Sequence, residues 1–154
     1  MSQDQTLSVQ QAYARCLKDY ENARLQPAVA TLNKIVAAAP KFAPAHQLLG
    51  IIAFQTGQLV PAQKAMSEAI RLQPDNPMFL TNYVEMLRKV GKVDEAIKVG
   101  KRAVQLVPSD PSAHSNLGLS YYDAENLIEA EASQKRALSF DANFVPALNN
   151  LGSI

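Results

Sequence analysis

Residues 43–76, APAHQLLGIIAFQTGQLVPAQKAMSEAIRLQPDN, hold the unit that the rest of the chain repeats. Two apolar-periodic segments, Pro44 to Gln55 and Leu59 to Leu72, flank a Thr56-Gly57 break. A step of 34 residues turns Gly57 into Gly91, Ala62 into Ala96, Ala69 into Ala103 and Pro74 into Pro108. A second step reaches Ala130 and Ala137. A self-similarity of this period is the mark of stacked helix–turn–helix units, each burying its apolar face on its neighbours.

Proline and glycine punctuate the same scheme. Pro40, Pro74 and Pro108 follow second helices, and Pro77 and Pro111 open first helices behind Asn76 and Asp110 as N-caps. Pro44 and Pro146 sit one place further in, and Pro27 and Pro61 fall in the first turn of second helices, where the missing N–H costs little. Gly57 and Gly91 end first helices, where a left-handed residue closes the turn. In the third full unit Glu125 holds that place, and the adjacent Asn126 is expected to take the left-handed conformation instead. Gly50, Gly118 and Gly152 lie mid-helix, where close approach of a neighbouring helix is expected to offset their poor propensity. Gly100 is expected to make room for a bulky neighbour.

Towards the N-terminus the pattern weakens. Residues 1–8 are polar and read as a frayed tail. Val9 to Asn22 and Leu25 to Ala38 form a degenerate first pair, with Tyr13, Cys16, Leu17 and Tyr20 at helical spacing. Aligning Ala28 with Ala62 sets Arg15 and Cys16 opposite Leu49 and Gly50. A connection one residue shorter keeps Tyr13 and Tyr20 inside and is the preferred register. The resulting organisation is a tail at 1–8, a degenerate unit at 9–42, full units at 43–76, 77–110 and 111–144, and a partial unit at 145–154.

The spacing resembles the tetratricopeptide repeat: an aromatic, Leu-Gly, an aromatic, then Ala, a large apolar residue and Pro. The three full units run His46, Leu49-Gly50, Ala53, Ala62, Met66, Pro74; then Leu80, Tyr83-Val84, Leu87, Ala96, Gly100, Pro108; then His114, Leu117-Gly118, Tyr121, Ala130, Gln134, with Ala142 in place of Pro. The resemblance implies an all-α, right-handed α-solenoid of antiparallel helix pairs that works as a protein-binding scaffold. It also implies that first helices line a concave surface. The sixth positions there are Leu48, Asn82, Asn116 and Asn150. Helix propensity does not ask for Asn, and an amide both donates and accepts. A row of amides can therefore pair with the backbone of an extended peptide, as in the asparagine ladder of the O-linked N-acetylglucosamine transferases, whose repeat array this one resembles. Gln47, Ile51, Phe54, Glu85, Arg88 and Tyr122 complete the expected peptide-binding set, with Ile51, Phe54 and Tyr122 as apolar anchors. The basic residues with which some family members clamp a chaperone's C-terminal carboxylate are missing from the matching places, Gln47, Ile51, Asn82, Ser112 and Asn116.

Chemistry other than binding finds little support. There is no Gly-rich phosphate loop, His-Glu-x-x-His, Cys pair or Gly-x-Ser-x-Gly, so no catalytic residue, metal site or cofactor is expected. His46 and His114, two periods apart, are expected to pack between helices, and Cys16 to be a small buried hydrophobe. Lys92, Asp94, Glu95 and Lys98 read as a solvated face. The net charge of +1 gives no argument for nucleic acid. No apolar run is long enough to span a membrane, and the start lacks the plan of a signal peptide. The lone cysteine makes cytoplasm the default location. The partner expected is a protein or peptide. The alternative is the repeat region of a larger, glycosyltransferase-type enzyme. The stripe Val145, Leu148, Leu151, Ile154 adds the expectation of an uncapped end that self-associates, most simply as a two-fold homodimer, or else frays.

Overall fold

The computed structural model describes the backbone of residues 3–154 and the side chains of residues 8–154. Among the described residues there are helices and no strand: α1 Gln3–Glu21, α2 Leu25–Ala38, α3 Ala43–Gln55, α4 Leu59–Leu72, α5 Pro77–Lys89, α6 Val93–Leu106, α7 Pro111–Asp123, α8 Leu127–Phe140 and α9 Val145–Leu151. The fold is an all-α solenoid of helix pairs. It divides into two compact units, 1–74 and 75–154. α1 starts at Gln3 rather than Val9, since the polar stretch contains no Gly or Pro to stop a helix. Met1 and Ser2 lie outside the described residues.

Each pair is joined by the same turn. Ala23, Gly57, Gly91 and Glu125 follow one another at 34-residue steps, and all four have positive φ, of 56°, 77°, 80° and 59°. The following N–H reaches back to a carbonyl five residues earlier in every case: Arg24 to Asp19, Gln58 to Ala53, Lys92 to Leu87 and Asn126 to Tyr121, at 2.8, 2.8, 2.8 and 2.9 Å. This is the closure that satisfies the last carbonyls of a helix. The left-handed residue of the third full unit is thus Glu125, not Asn126. Asn126 instead caps α8, its Oδ1 accepting from the Glu129 N–H at 3.3 Å. Asn76 caps α5 and Asp110 caps α7 in the same way, accepting from Phe79 and Ser112 N–H at 3.3 and 2.9 Å.

In the first unit the core joins Cys16, Ala28, Leu32, Ile35, Ala45, Leu48 and Ile52, with Tyr13 and Tyr20 packed at its edge. The shorter connection expected for the degenerate pair is not found. Ala23 sits one full period before Gly57, and the Cys16 thiol points at the Ala28 carbonyl, 3.8 Å away. The Cβ that Gly50 lacks would lie 3.3 Å from the Ala62 carbonyl, so Cys16 holds Gly50's place. Tyr13 and Tyr20 stay half-buried in this register, so no deletion is required.

In the second unit Phe79, Leu80, Val84, Met86, Leu87, Ala96, Ala103, Ala113, Leu117, Ala130 and Ala137 are buried. Two glycines mark close helix approach. A Cβ at Gly118 would lie 2.5 Å from Gln134 Nε2, and one at Gly100 would lie 3.1 Å from Leu117 Cδ1. Gly152 differs from its expected mid-helix role: α9 ends at Leu151, and no neighbouring helix approaches the glycine. His114 stacks on Phe140 (5.5 Å between centroids), and its Nε2–H donates to the Pro108 carbonyl at 2.8 Å. His46 makes the same 2.8 Å bond to the Pro40 carbonyl. A carbonyl only accepts, so both rings carry their proton on Nε2. The histidines fasten the turn ahead of their own helix as well as packing.

Candidate functional site

α7 lies beside α5 and, at its other flank, touches α9, so the first helices of the second unit share one face. The N-terminal caps and prolines set these helices' starts, and the 34-residue step then carries Asn82, Asn116 and Asn150 to matching places on that face. All three are half-buried. Two hollows open here. One, of about 410 Å³, is lined by Asn76, Pro77, Met78, Thr81, Asn82 and Asp110. The other, of about 250 Å³, is lined by Arg88, Leu119, Tyr122, Asp123, Gln134, Asn150, Ser153 and Ile154.

The expected binding residues meet different fates. Glu85 and Tyr122 are exposed. Arg88 is nearly covered, with 12% of its side chain accessible, and its Nε–H donates to Asp123 Oδ2 at 2.7 Å. One amide hydrogen of Asn150 is committed to Ser115 Oγ at 3.1 Å, so this asparagine also fastens α9 to α7. In the first unit Gln47 is buried and Leu48 belongs to the core, while Ile51 and Phe54 on α3 are half-buried. Position six is therefore an amide only in the second unit.

Two residues outside the expected set belong to the smaller hollow. Asp123 neutralises Arg88, and Gln134 on α8 forms part of the wall. Gln134 Nε2 donates to the Ser115 carbonyl at 3.0 Å, and its Oε1 is buried without a partner. The sequence signal for Gln134 is its register: Gly100, Met66 and Leu32 hold the same place one, two and three periods earlier, and none is polar at its side chain. No cluster of His, Cys, Asp or Glu among the described residues could hold a metal ion. No helix among them is long and apolar enough to cross a membrane.

A family profile described as "Tetratricopeptide repeat" matches residues 43–76 and 111–144, and one described as "TPR repeat" matches residues 85–124. The chain belongs to the tetratricopeptide repeat family. Two curated relatives from the family align over 80 residues each. A TPR repeat-containing thioredoxin, TTL4, of Arabidopsis thaliana is 32% identical over 50% of this chain and 12% of its own length. The small glutamine-rich tetratricopeptide repeat-containing protein 2 of Mycosarcoma maydis is 28% identical over 52% of this chain and 23% of its own. The aligned parts thus span less than a quarter of either relative.

Solved structures show the fold at low identity. PilF of Pseudomonas aeruginosa superposes with a TM-score of 0.89 at 19% identity, covering 98% of this chain and 69% of that one. MamA of Desulfovibrio magneticus RS-1 gives 0.85 at 19%, covering 94% and 82%. YrrB, described as a TPR protein with an unusual peptide-binding site, gives 0.81 at 19%, covering 90% and 71%. Membership of the repeat family makes the chain a protein-interaction scaffold.

Proposed function

We propose that this TPR scaffold binds an extended peptide segment on the face formed by α5, α7 and α9. The observation that carries the reading is the pair of hollows on that face, which between them hold Asn82, Arg88, Leu119, Tyr122 and Asn150. Asn82 and Asn116 offer amides at a regular step, and Glu85 and Tyr122 are exposed beside them. Amide contacts to a peptide backbone give affinity that depends little on side-chain sequence. Ile51 and Phe54 are the matching apolar positions in the first unit. The reading needs no nucleic acid, cofactor or metal, and assigns the chain no catalytic step. A cytoplasmic setting belongs to the same proposal.

Calorimetry of wild type and Asn82→Ala/Asn116→Ala against two unrelated extended peptides tests it. Weakening by a similar factor for both peptides is expected. Unchanged affinity with an intact fold refutes the role of the amides.

A second association is proposed at the chain's last helices. Val145 is 60% exposed, Leu148 48% and Phe140 39%. These apolar side chains suit a two-fold contact between copies.

The thioredoxin relative favours one further reading. The part aligned with this chain covers only 12% of that protein, so a repeat segment of this kind also occurs within a larger polypeptide. In that case binding stays with this region and any catalysis, the glycosyltransferase type included, lies in another domain. Fusion to a catalytic domain in the natural reading frame is the observation that decides it.

A further inference from the structure

Gln134 is out of keeping with its surroundings. It is fully buried, its place is held by Leu32 and Met66 in earlier units, and its Oε1 accepts no hydrogen bond. A buried unpaired acceptor is destabilising, and an apolar residue of similar size would avoid the penalty. Gly118 is shaped to admit it: a Cβ there would stand 2.5 Å from Nε2 and 3.1 Å from Cδ. Two positions on facing helices thus accommodate an amide that makes one bond where it could make several.

The hollow beside this amide supplies the other half of a site. At about 250 Å³ it is smaller than the range of roughly 300–1,000 Å³ usual for small-molecule pockets, so it suits one side chain rather than a cofactor. Its floor includes Leu119. Its charged side chains, Arg88 and Asp123, form an ion pair and cancel. Because Asp123 takes Arg88 through Nε, the Nη end of the guanidinium remains to donate. The hollow therefore sets donors lacking an acceptor beside a buried amide whose oxygen lacks a donor, with its two charged side chains paired. A carboxylate satisfies only the first and adds a charge. An ammonium satisfies only the second. A carboxamide satisfies both.

We propose that the Arg88–Asp123–Gln134–Asn150 hollow is a recognition pocket for the neutral carboxamide of a Gln or Asn side chain. The ligand C=O accepts from Arg88, and its NH2 donates to Gln134 Oε1. Oε1 is fully buried in the free protein, so binding requires the Gln134 amide to swing towards the hollow, giving up its Nε2–H bond to the Ser115 carbonyl for the bond to the ligand. The proposal rests on the peptide-binding reading for its biological setting, but the pocket is tested without a peptide.

The probes are N-acetyl-glutamine N-methylamide and its glutamate counterpart, which differ only in amide against carboxylate. Titration of isotope-labelled protein by NMR follows the Arg88 Nε–H and the side-chain amides of Gln134 and Asn150. The glutamine probe should shift all three saturably and bind about tenfold tighter than the glutamate probe, as expected when one buried group is left unpaired. Gln134→Met, which installs the residue found at position 66, should keep the fold and lose the glutamine response. Asp123→Asn leaves Arg88 uncompensated and should reverse the preference towards glutamate. Three results overturn the proposal: no saturable shift at these resonances, equal response to both probes, or a response that survives Gln134→Met. Pocket binding without any peptide binding upholds the pocket and refutes the groove. Peptide binding indifferent to Gln or Asn in the ligand, with no probe response, refutes the pocket and leaves the groove.

Discussion

Replacing Glu125 by Gly should make the protein more stable. Glu125 holds φ at 59° in the turn where Gly57 and Gly91 stand at 77° and 80°. An L-residue in the left-handed region is disfavoured by about 1–2 kcal/mol. Glycine brings extra freedom in the unfolded chain that costs about 0.5–1 kcal/mol. Glu125 is exposed, and no ion pair among the described residues involves it, so its removal forfeits little. The net expectation is a gain of about 0.5–1 kcal/mol, or ~1–4 °C in thermal midpoint for a chain of this size. The reverse change isolates the backbone contribution. A Cβ at Gly91 meets nothing within 4 Å, so Gly91→Ala should lose stability through conformation alone and not through a clash.

Urea unfolding followed by circular dichroism measures both variants. Hydrogen exchange around α7 and α8, and around α5 and α6, places each change, since repeat arrays need not unfold in one step. A loss of stability in Glu125→Gly, or a gain in Gly91→Ala, would refute the claim that these turns are set by backbone conformation. Ala23→Gly, at a φ of 56°, should behave like Glu125→Gly.

Ala96 is fully buried, so Ala96→Leu should overpack its site and cost about 1–3 kcal/mol, read as a lowered thermal midpoint. Asn82→Ala/Asn116→Ala should weaken peptide binding by about 1–3 kcal/mol if two neutral hydrogen bonds are lost independently, as read by calorimetry. Burial pushes the Cys16 thiol up, so the native protein should resist disulfide-exchange reagents at mildly alkaline pH. An acid whose pKa is raised by folding lends stability below its unfolded pKa and loses it as pH rises through the folded one; Cys16→Ala should therefore soften the alkaline fall in stability. Sedimentation across a concentration series should show association of the wild type and a monomer for Leu148→Glu/Leu151→Glu; a wild-type monomer throughout would remove the proposed contact.

The repeat was legible because its signals are local and chemical. Proline cannot sit inside a helix, and a left-handed turn favours glycine, so Pro74, Pro108, Gly57 and Gly91 report the helix ends directly. Where another residue fills the same turn, as at Ala23 and Glu125, the backbone demand persists while the letter that announces it is gone. That is why the first pair invited a shorter connection and why Asn126, better suited by type, was the wrong choice beside Glu125. The candidate site was harder to read for a different reason. Register says which face a side chain occupies, and Asn82, Asn116 and Asn150 share one. It does not say whether an amide is already engaged, as Asn150 is by Ser115, or whether a salt bridge such as Arg88–Asp123 restrains a charge. Asp123 stands 35 residues from Arg88, one more than the period, so the pairing falls out of step with every repeat rule. Gln134 carries the same lesson further. Its sequence position predicts a buried contact, and burial is found. The missing partner of its Oε1 depends on Gly118, Ser115 and the hollow beside them together, and only there does a core position become a candidate for recognition.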